Sequence, residues 1–270
     1  MYLTKLISII FGLIADIKFP FFIQKFINKQ YIRIFNIKLS DFHDIESYEN
    51  LNSLFTRGLK YKRKFNENEN IFISPCDGKI TEYGSVDNNK ALQIKGSIYK
   101  VSRLLDLNLD SNFKYINLYL SPSNYHRYHA PCNMFVESII HFKGALLPVH
   151  IKSLNKNKNL FIRNERVVLK ARDEFGDALY LVAVGALNVG RIIFYIESKL
   201  QDSYKGSRRE FIYKNPIFVK KGEELGMFQM GSTIVLFARN VDFIFEDRGI
   251  SFGDNLLKKL ENPNNDESSK

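Results

Sequence analysis

Met230-Gly231-Ser232-Thr233-Ile234-Val235-Leu236-Phe237-Ala238 carries a small-residue turn straight into an apolar run. Thr233–Ala238 is rich in β-branched and aromatic side chains, so it reads as a strand entered through a Gly-Ser-Thr turn. Working outward, the same kind of short run recurs at Ile71–Ile73, Lys79–Tyr83, Tyr115–Leu120, Phe135–Phe142, Phe161–Lys170, Leu179–Val189, Arg191–Glu197 and Val241–Phe245. Asp77-Gly78 and Asn188-Val189-Gly190 supply turns between them. Tyr99–Leu107 reads as a short helix. Long helical patterns do not separate the strands, so the sheet is expected to be mainly antiparallel.

Upstream of Ile71 the pattern differs. Leu6–Ala15 is strongly apolar but falls short of the roughly 20 residues a membrane-spanning helix needs. It also lacks a small-residue cleavage site. A second apolar stretch, from Phe21 to Ile37, is punctuated by Lys25, Lys29 and Arg33. That mixture suits helices lying in a membrane interface, as well as an amphipathic helix packed on a core. Leu51, Leu54, Phe55 and Leu59 predict one more helix within Ser47–Leu59. The expected fold class is therefore α+β, with N-terminal amphipathic helices followed by a mainly antiparallel β core. The expected division is a helical, membrane-associating region over 1–65, a catalytic domain over 66–260 and a disordered polar tail over 261–270.

A chain of 270 residues with 45% hydrophobic residues can bury a sizeable core, which excludes global disorder. The net charge of +10 suits an anionic partner, either nucleic acid or an acidic membrane. The tightest basic cluster, Lys60–Lys64, reads as a linker. Cys76 and Cys132 are too few and too far apart for a zinc signature or a disulfide scaffold, and each reads as a buried, inert thiol in a reducing compartment. No ligand set for a metal is evident.

Three segments could carry chemistry. In Ser74–Lys79, Asp77-Gly78 is by itself an ordinary turn. In Leu120–Asn133, prolines flank Tyr125-His126-Arg127-Tyr128-His129, which holds two of the five histidines. A spacing of three puts the two rings on opposite faces of a strand, so a bend is needed for both to serve one site. General acid or base is the better functional reading for them. In Gly222–Phe237, Ser232 is a candidate nucleophile if a histidine takes its proton and a carboxylate orients that histidine. A serine hydrolase remains open on the same residues, although Met230–Ile234 lacks the second glycine of a nucleophile elbow.

Taken in order, these segments resemble the phosphatidylserine decarboxylase family of the bacterial, membrane-associated type. The resemblance rests on Pro75–Gly78, Leu92–Gly96, Tyr119–Pro122, Tyr125–His129, Pro131–Asn133, Phe161–Arg166, Val184–Ala186 and Gly226–Thr233. It implies a proenzyme that cuts itself between Gly231 and Ser232. Ser232 would attack the Gly231 carbonyl, with His129 as base and Asp77 orienting it. Elimination and hydrolysis would then leave a covalent pyruvoyl group, derived from Ser232, as the cofactor. The products would be a β chain of residues 1–231 and an α chain of residues 232–270, remaining associated. The pyruvoyl group would form a Schiff base with phosphatidylserine and release carbon dioxide and phosphatidylethanolamine, with His126 acting in the decarboxylation step.

The implied location is the cytoplasmic face of the cell membrane, held peripherally through anionic lipid and Lys5, Lys18, Lys25 and Lys29. Nucleic acid is not an expected partner, and a homodimer is compatible. Two rival expectations are a membrane-associated hydrolase that keeps Ser232 intact and a lipid-binding homologue that has lost processing. Asn124, Met134 and His150 depart from the family pattern, which expects Asp, Gly and Asn there.

Overall fold

The structure is a computed structural model and describes residues 10, 12–94, 97–187, 191–229 and 232–260. Gly231, Met230, the Asn188–Gly190 turn, Lys95-Gly96, Lys5, half of the first apolar run and the tail lie outside the described residues.

Among the described residues the strands are, in order, β1 (Ile71–Ile73), β2 (Gly78–Ser85), β3 (Lys90–Ile94), β4 (Ser97–Lys100), β5 (Phe113–Leu120), β6 (Arg127–His129), β7 (Met134–Phe142) and β8 (Arg166–Asp173). They continue with β9 (Ala178–Val184), β10 (Ile192–Phe194), β11 (Arg208–Val219), β12 (Glu224–Phe228), β13 (Ser232–Arg239), β14 (Val241–Phe243), β15 (Gly249–Ile250) and β16 (Asn255–Lys259). The main sheet has eight strands in the order β11-β7-β8-β9-β13-β5-β2-β15, and its neighbours all run antiparallel. Two small sheets, β1-β16-β14 and β10-β12-β6, and the β3-β4 hairpin complete it. The fold is thus α+β with a mainly antiparallel core.

The apolar run after Ser232 becomes an inner strand because both of its faces are covered. Thr233–Ala238 pairs with Val184–Leu179 on one side, and Ser232–Arg239 pairs with Leu120–Phe113 on the other. Ile234, Val235, Leu236 and Phe237 are at most 1% exposed. Burying each such side chain contributes about 1.5–3 kcal/mol.

Several sequence-based boundaries shift. Phe161–Lys170 is divided, because Asn159 adopts a left-handed conformation and starts a single helical turn, Leu160–Arg163. The strand begins only at Arg166. The described part of Leu179–Val189 is strand as far as Val184, Arg191–Glu197 retains Ile192–Phe194, and Val241–Phe245 retains Val241–Phe243. The helix expected at Tyr99–Leu107 contracts to Val101–Leu105, since Tyr99 and Lys100 belong to β4. The longest strand, β11, was not expected. Its charged residues and Pro216 mask it, and Pro216 is tolerated because β11 is an edge strand whose register breaks between Ile212 and Ile217.

Helix α1 (Phe21–Phe35) is followed by a 3-10 turn at Ile45–Ser47 and by α2 (Leu51–Phe55). The helix expected over Ser47–Leu59 is therefore shorter. Its start is fixed by Asn50, whose side chain accepts from the Ser53 amide at 2.7 Å while Ser53 Oγ accepts from the Asn50 amide at 3.2 Å. Helix α1 is turned inside out. Its buried residues are Gln24 and Asn28, and Asn28 Nδ2 donates to the Tyr48 carbonyl. Its exposed residues include Phe22 at 82%, Ile34 at 72% and Phe26 at 61%.

A buried ion pair ties β16 to the β8–β9 turn: Lys259 Nζ lies 2.5 Å from Asp173 Oδ2 and 2.6 Å from Asp177 Oδ2. Replacing Lys259 by Met leaves two carboxylates without their cation. The expected loss is about 3–5 kcal/mol of unfolding free energy, read from urea denaturation.

Candidate active site

Antiparallel pairing brings three segments to one end of the main sheet. Lys79, near the start of β2, and Thr233, near the start of β13, both pair with Tyr119 near the end of β5. Asp77 precedes β2, Ser232 opens β13 opposite Leu120, and the histidine loop leaves β5 directly after Leu120.

That loop is built locally. Asn124 Oδ1 accepts from the Ser121 amide at 2.8 Å and from Ser121 Oγ at 2.7 Å, closing the turn after β5. One side-chain oxygen takes both bonds, so an amide serves where the family pattern has a carboxylate. His150 likewise does what Asn would do there: its Nδ1 caps the helix Ile151–Lys156, accepting from the Ser153 amide at 3.3 Å. Met134 is simply the buried first residue of β7.

The two histidines lie on different sides of the Tyr125–His129 segment. His126 is fully buried against the Phe55 ring, 3.9 Å between centroids. Its Nδ1 lies 2.8 Å from the Asn124 carbonyl, and its Nε2 has no hydrogen-bond partner among the described residues. A carbonyl can only accept, so Nδ1 carries the proton. Burial, reinforced by the nearby Arg57 charge, lowers its pKa to about 3.

His129 faces a cavity of about 680 Å3 that Tyr125, Arg127, Arg63, Phe65 and Phe252 also line. Its Nδ1 pairs with the Gly222 carbonyl at 3.0 Å, so Nε2 accepts from the Tyr125 hydroxyl at 3.0 Å. Its ring stacks on Phe252 at 3.7 Å. Burial, with Arg127 and Arg63 adding to it, lowers the pKa to about 4 against the opposing Gly222 hydrogen bond. Gly222 is required as glycine: its φ is +78°, and a Cβ there would lie 2.4 Å from the Phe65 ring.

Asp77 is held by Arg63 Nη1 at 2.5 Å and by the Phe252 amide at 2.8 Å. Arg63 also reaches Asp41 at 3.0 Å. Ser232 is fully buried, and its Oγ has no partner among the described residues. Asp77, His129 and Ser232 therefore share one end of the sheet without forming a hydrogen-bonded chain. Asp77 and His129 are linked instead through Phe252, whose amide binds the one and whose ring covers the other. Tyr125, Phe252, Gly222 and Arg63 had no role in the sequence reading. Tyr125 stood inside a quoted motif, whereas nothing local to residue 252 signals a histidine partner. Both cysteines are buried, and burial pushes their thiols well up, so they remain protonated. Among the described residues no group of three His, Cys, Asp or Glu side chains could hold a metal.

A family model described as phosphatidylserine decarboxylase matches residues 51–256. The phosphatidylserine decarboxylase proenzyme of Helicobacter pylori strain J99 is 49% identical over 258 residues, covering 94% of this chain and 97% of its own. The proenzyme of Campylobacter jejuni is 43% identical over 268 residues, covering 95% and 99%. The mitochondrial proenzyme of Cricetulus griseus is 32% identical over 292 residues, covering 94% and 71%. The protein is thus an enzyme, a decarboxylase. The chain belongs to the phosphatidylserine decarboxylase family.

The two lowered histidine pKa values make stability depend on pH. Between about pH 6.5 and 4 the unfolded chain binds protons at His126 and His129 that the folded chain refuses. Unfolding free energy should fall with acidification through this window, by up to about 1.4 kcal/mol per pH unit for each histidine. Urea titrations at stepped pH check it, and His129→Gln should flatten the slope.

Proposed function

We propose that the chain is a proenzyme that cuts its backbone between Gly231 and Ser232 and then decarboxylates phosphatidylserine to phosphatidylethanolamine. The observation that carries this reading is the Ser232 hydroxyl. It is buried, without a partner among the described residues, at the head of a central strand. Leaving a buried hydroxyl unpaired costs about 1–3 kcal/mol, a cost that chemistry at this position would explain.

In the cleavage step, Nε2 of His129 exchanges the Tyr125 hydroxyl for that of Ser232 and takes its proton. Ser232 Oγ bonds to the Gly231 carbonyl carbon, the Gly231–Ser232 C–N bond breaks, and the freed amine receives the proton. The resulting ester opens by loss of the Ser232 Cα proton and departure of the Gly231 carboxylate. One water then replaces the nitrogen, which leaves as ammonia. Neutral His129 is fit for this role, because its pKa of about 4 keeps Nε2 unprotonated at neutral pH. Asp77 keeps Phe252 against the His129 ring and so orients it.

The pyruvoyl group left at position 232 supplies a ketone for the substrate amine and an electron sink for the bond to the departing carboxylate. His126 offers a bare, buried Nε2 that can handle a proton in that step. The new α chain, residues 232–270, stays bound through the two ladders of β13 and through Lys259. A second reading makes His126 the cleavage base, and its unpartnered Nε2 favours it.

The N-terminal region, residues 1–65, is assigned to lipid contact and residues 66–260 to catalysis. Helix α1 supports this, since Gln24 and Asn28 face the protein while Phe22, Phe26 and Ile34 face outward. Exposed Lys29 and Arg33 accompany them, while Lys18 and Lys25 pair with Glu49 and Glu46 at the same end of the molecule, as suits a peripheral site on the anionic cytoplasmic leaflet. No helix among the described residues is long and apolar enough to cross a membrane.

Ser232→Ala should remain a single uncut chain on a denaturing gel, and so should His129→Ala. A cut His129→Ala chain together with an uncut His126→Ala chain would transfer the base role to His126. The wild-type cleavage rate should stay level from pH 8 down to about 5 and fall as pH approaches the His129 value of about 4. Phe22→Asp combined with Phe26→Asp should lower cosedimentation with phosphatidylserine vesicles by about tenfold or more, while leaving cleavage unchanged.

A further inference from the structure

Arg57 is a cation buried at a cost. Its residue exposure is 1%, and it takes part in none of the ion pairs among the described residues. Burial lowers its pKa from the usual arginine value. Such a charge persists in a core only where its donors do something specific. Its Nη2 donates to the Ser123 carbonyl at 2.6 Å and to the Asn124 carbonyl at 2.8 Å. Nη1 reaches the Leu54 carbonyl at 3.3 Å, and the guanidinium lies 4.6 Å from the Phe42 ring centre. The Asn124 carbonyl it grips is the one that accepts His126 Nδ1–H at 2.8 Å.

We propose that Arg57 is a positioning residue for His126: by clamping the Ser123 and Asn124 carbonyls it fixes the loop that locks the proton on Nδ1 and leaves Nε2 bare. The inference rests on the reading in which His126 acts in decarboxylation. Two lone pairs on one carbonyl allow the guanidinium and the imidazole to bind it together. The clamp comes from the segment after α2, and α2 also supplies the Phe55 ring that covers His126. The groups facing His126 are thus Phe55, Arg57 and its own loop carbonyl, while the Phe228 amide donates to its backbone carbonyl. Among the described residues, Arg57 is the charged group that acts on this ring. Its cation opposes protonation of His126, in the same direction as burial.

The test uses the full chain with 15N-labelled histidine, its rings read by long-range 1H–15N NMR and His126 assigned through His126→Gln. At neutral pH the wild type should show His126 as the Nδ1–H tautomer. Arg57→Gln should show a mixed tautomer. Where that variant is cut, its kcat on phosphatidylserine in mixed micelles should fall about tenfold, with KM within about twofold and the acid limb moved to higher pH. Arg57→Lys restores the charge without the fork, so it should return the acid limb while the tautomer stays mixed.

A wild-type tautomer and an unshifted kcat–pH profile in Arg57→Gln would overturn the proposal. If that variant does not fold, an unmixed Nδ1–H tautomer in Arg57→Lys overturns it instead. The NMR reading does not depend on cleavage or turnover. A wild type that leaves phosphatidylserine unchanged would therefore count against the proposed function, while the tautomer still decides the role of Arg57.

Discussion

The two-sided pairing of β13 is the constraint on which the site depends. The strand is bonded to β5 along Ser232–Arg239 and to β9 along Thr233–Ala238. Since both neighbours run antiparallel to it, its first residue meets the last residue of β5, and β2 begins beside that same end. A serine at the head of this strand is therefore delivered to the segments that carry Asp77 and the histidines. The same ladders explain how a chain cut just before the strand could hold together. An inner strand of a closed-packed sheet loses all of its pairing and its buried side chains if it leaves.

Around that strand the molecule buries polar groups and then constrains them. His129 is held at both ring nitrogens and on one face, by Gly222, Tyr125 and Phe252. His126 is held at one nitrogen only. Ser232 is held, among the described residues, at none of its side-chain atoms. This gradation suits a precursor whose reactive atoms are dehydrated and oriented but not yet engaged with each other. Helix α1 inverts the usual arrangement in the same spirit, with Gln24 and Asn28 inside and aromatic residues outside. An apolar surface of that kind is stable next to a phase that is itself apolar.

Much of the core was legible in the sequence, for a physical reason. Strands such as β9 and β13 are apolar nearly throughout because they are covered on both faces, and such runs stand out. Edge strands carry no such signature. β11 holds Arg208, Arg209, Glu210, Lys214 and Pro216, and only its pairing with β7 makes it a strand. β6 lies inside the proline-flanked segment Leu120–Asn133, where three residues are too few to show a strand pattern. The strand-spacing argument for His126 and His129 does not apply directly, since β6 begins at Arg127 and His126 precedes it; the His126 ring is fully buried while His129 lines the cavity. Asp77, His129 and Ser232 come together as a set through the family resemblance, since Asp77-Gly78 by itself reads as an ordinary turn. Their intermediaries were not legible in the sequence. Phe252 reaches Asp77 across 175 residues and Arg57 reaches Asn124 across 67, and such partners follow from the topology rather than from any local pattern.

The central claim is that Ser232 does not remain a serine but becomes the pyruvoyl group at the head of a new chain. The measurement that meets it most directly is the intact mass of the purified chain under denaturing conditions, before and after treatment with a carbonyl-reactive hydrazide. The account predicts two species, residues 1–231 and residues 232–270, with the smaller one bearing a ketone in place of its amino terminus and gaining one hydrazide adduct. A single full-length mass, or a smaller fragment that begins with an ordinary serine amine and takes up no hydrazide, would contradict it.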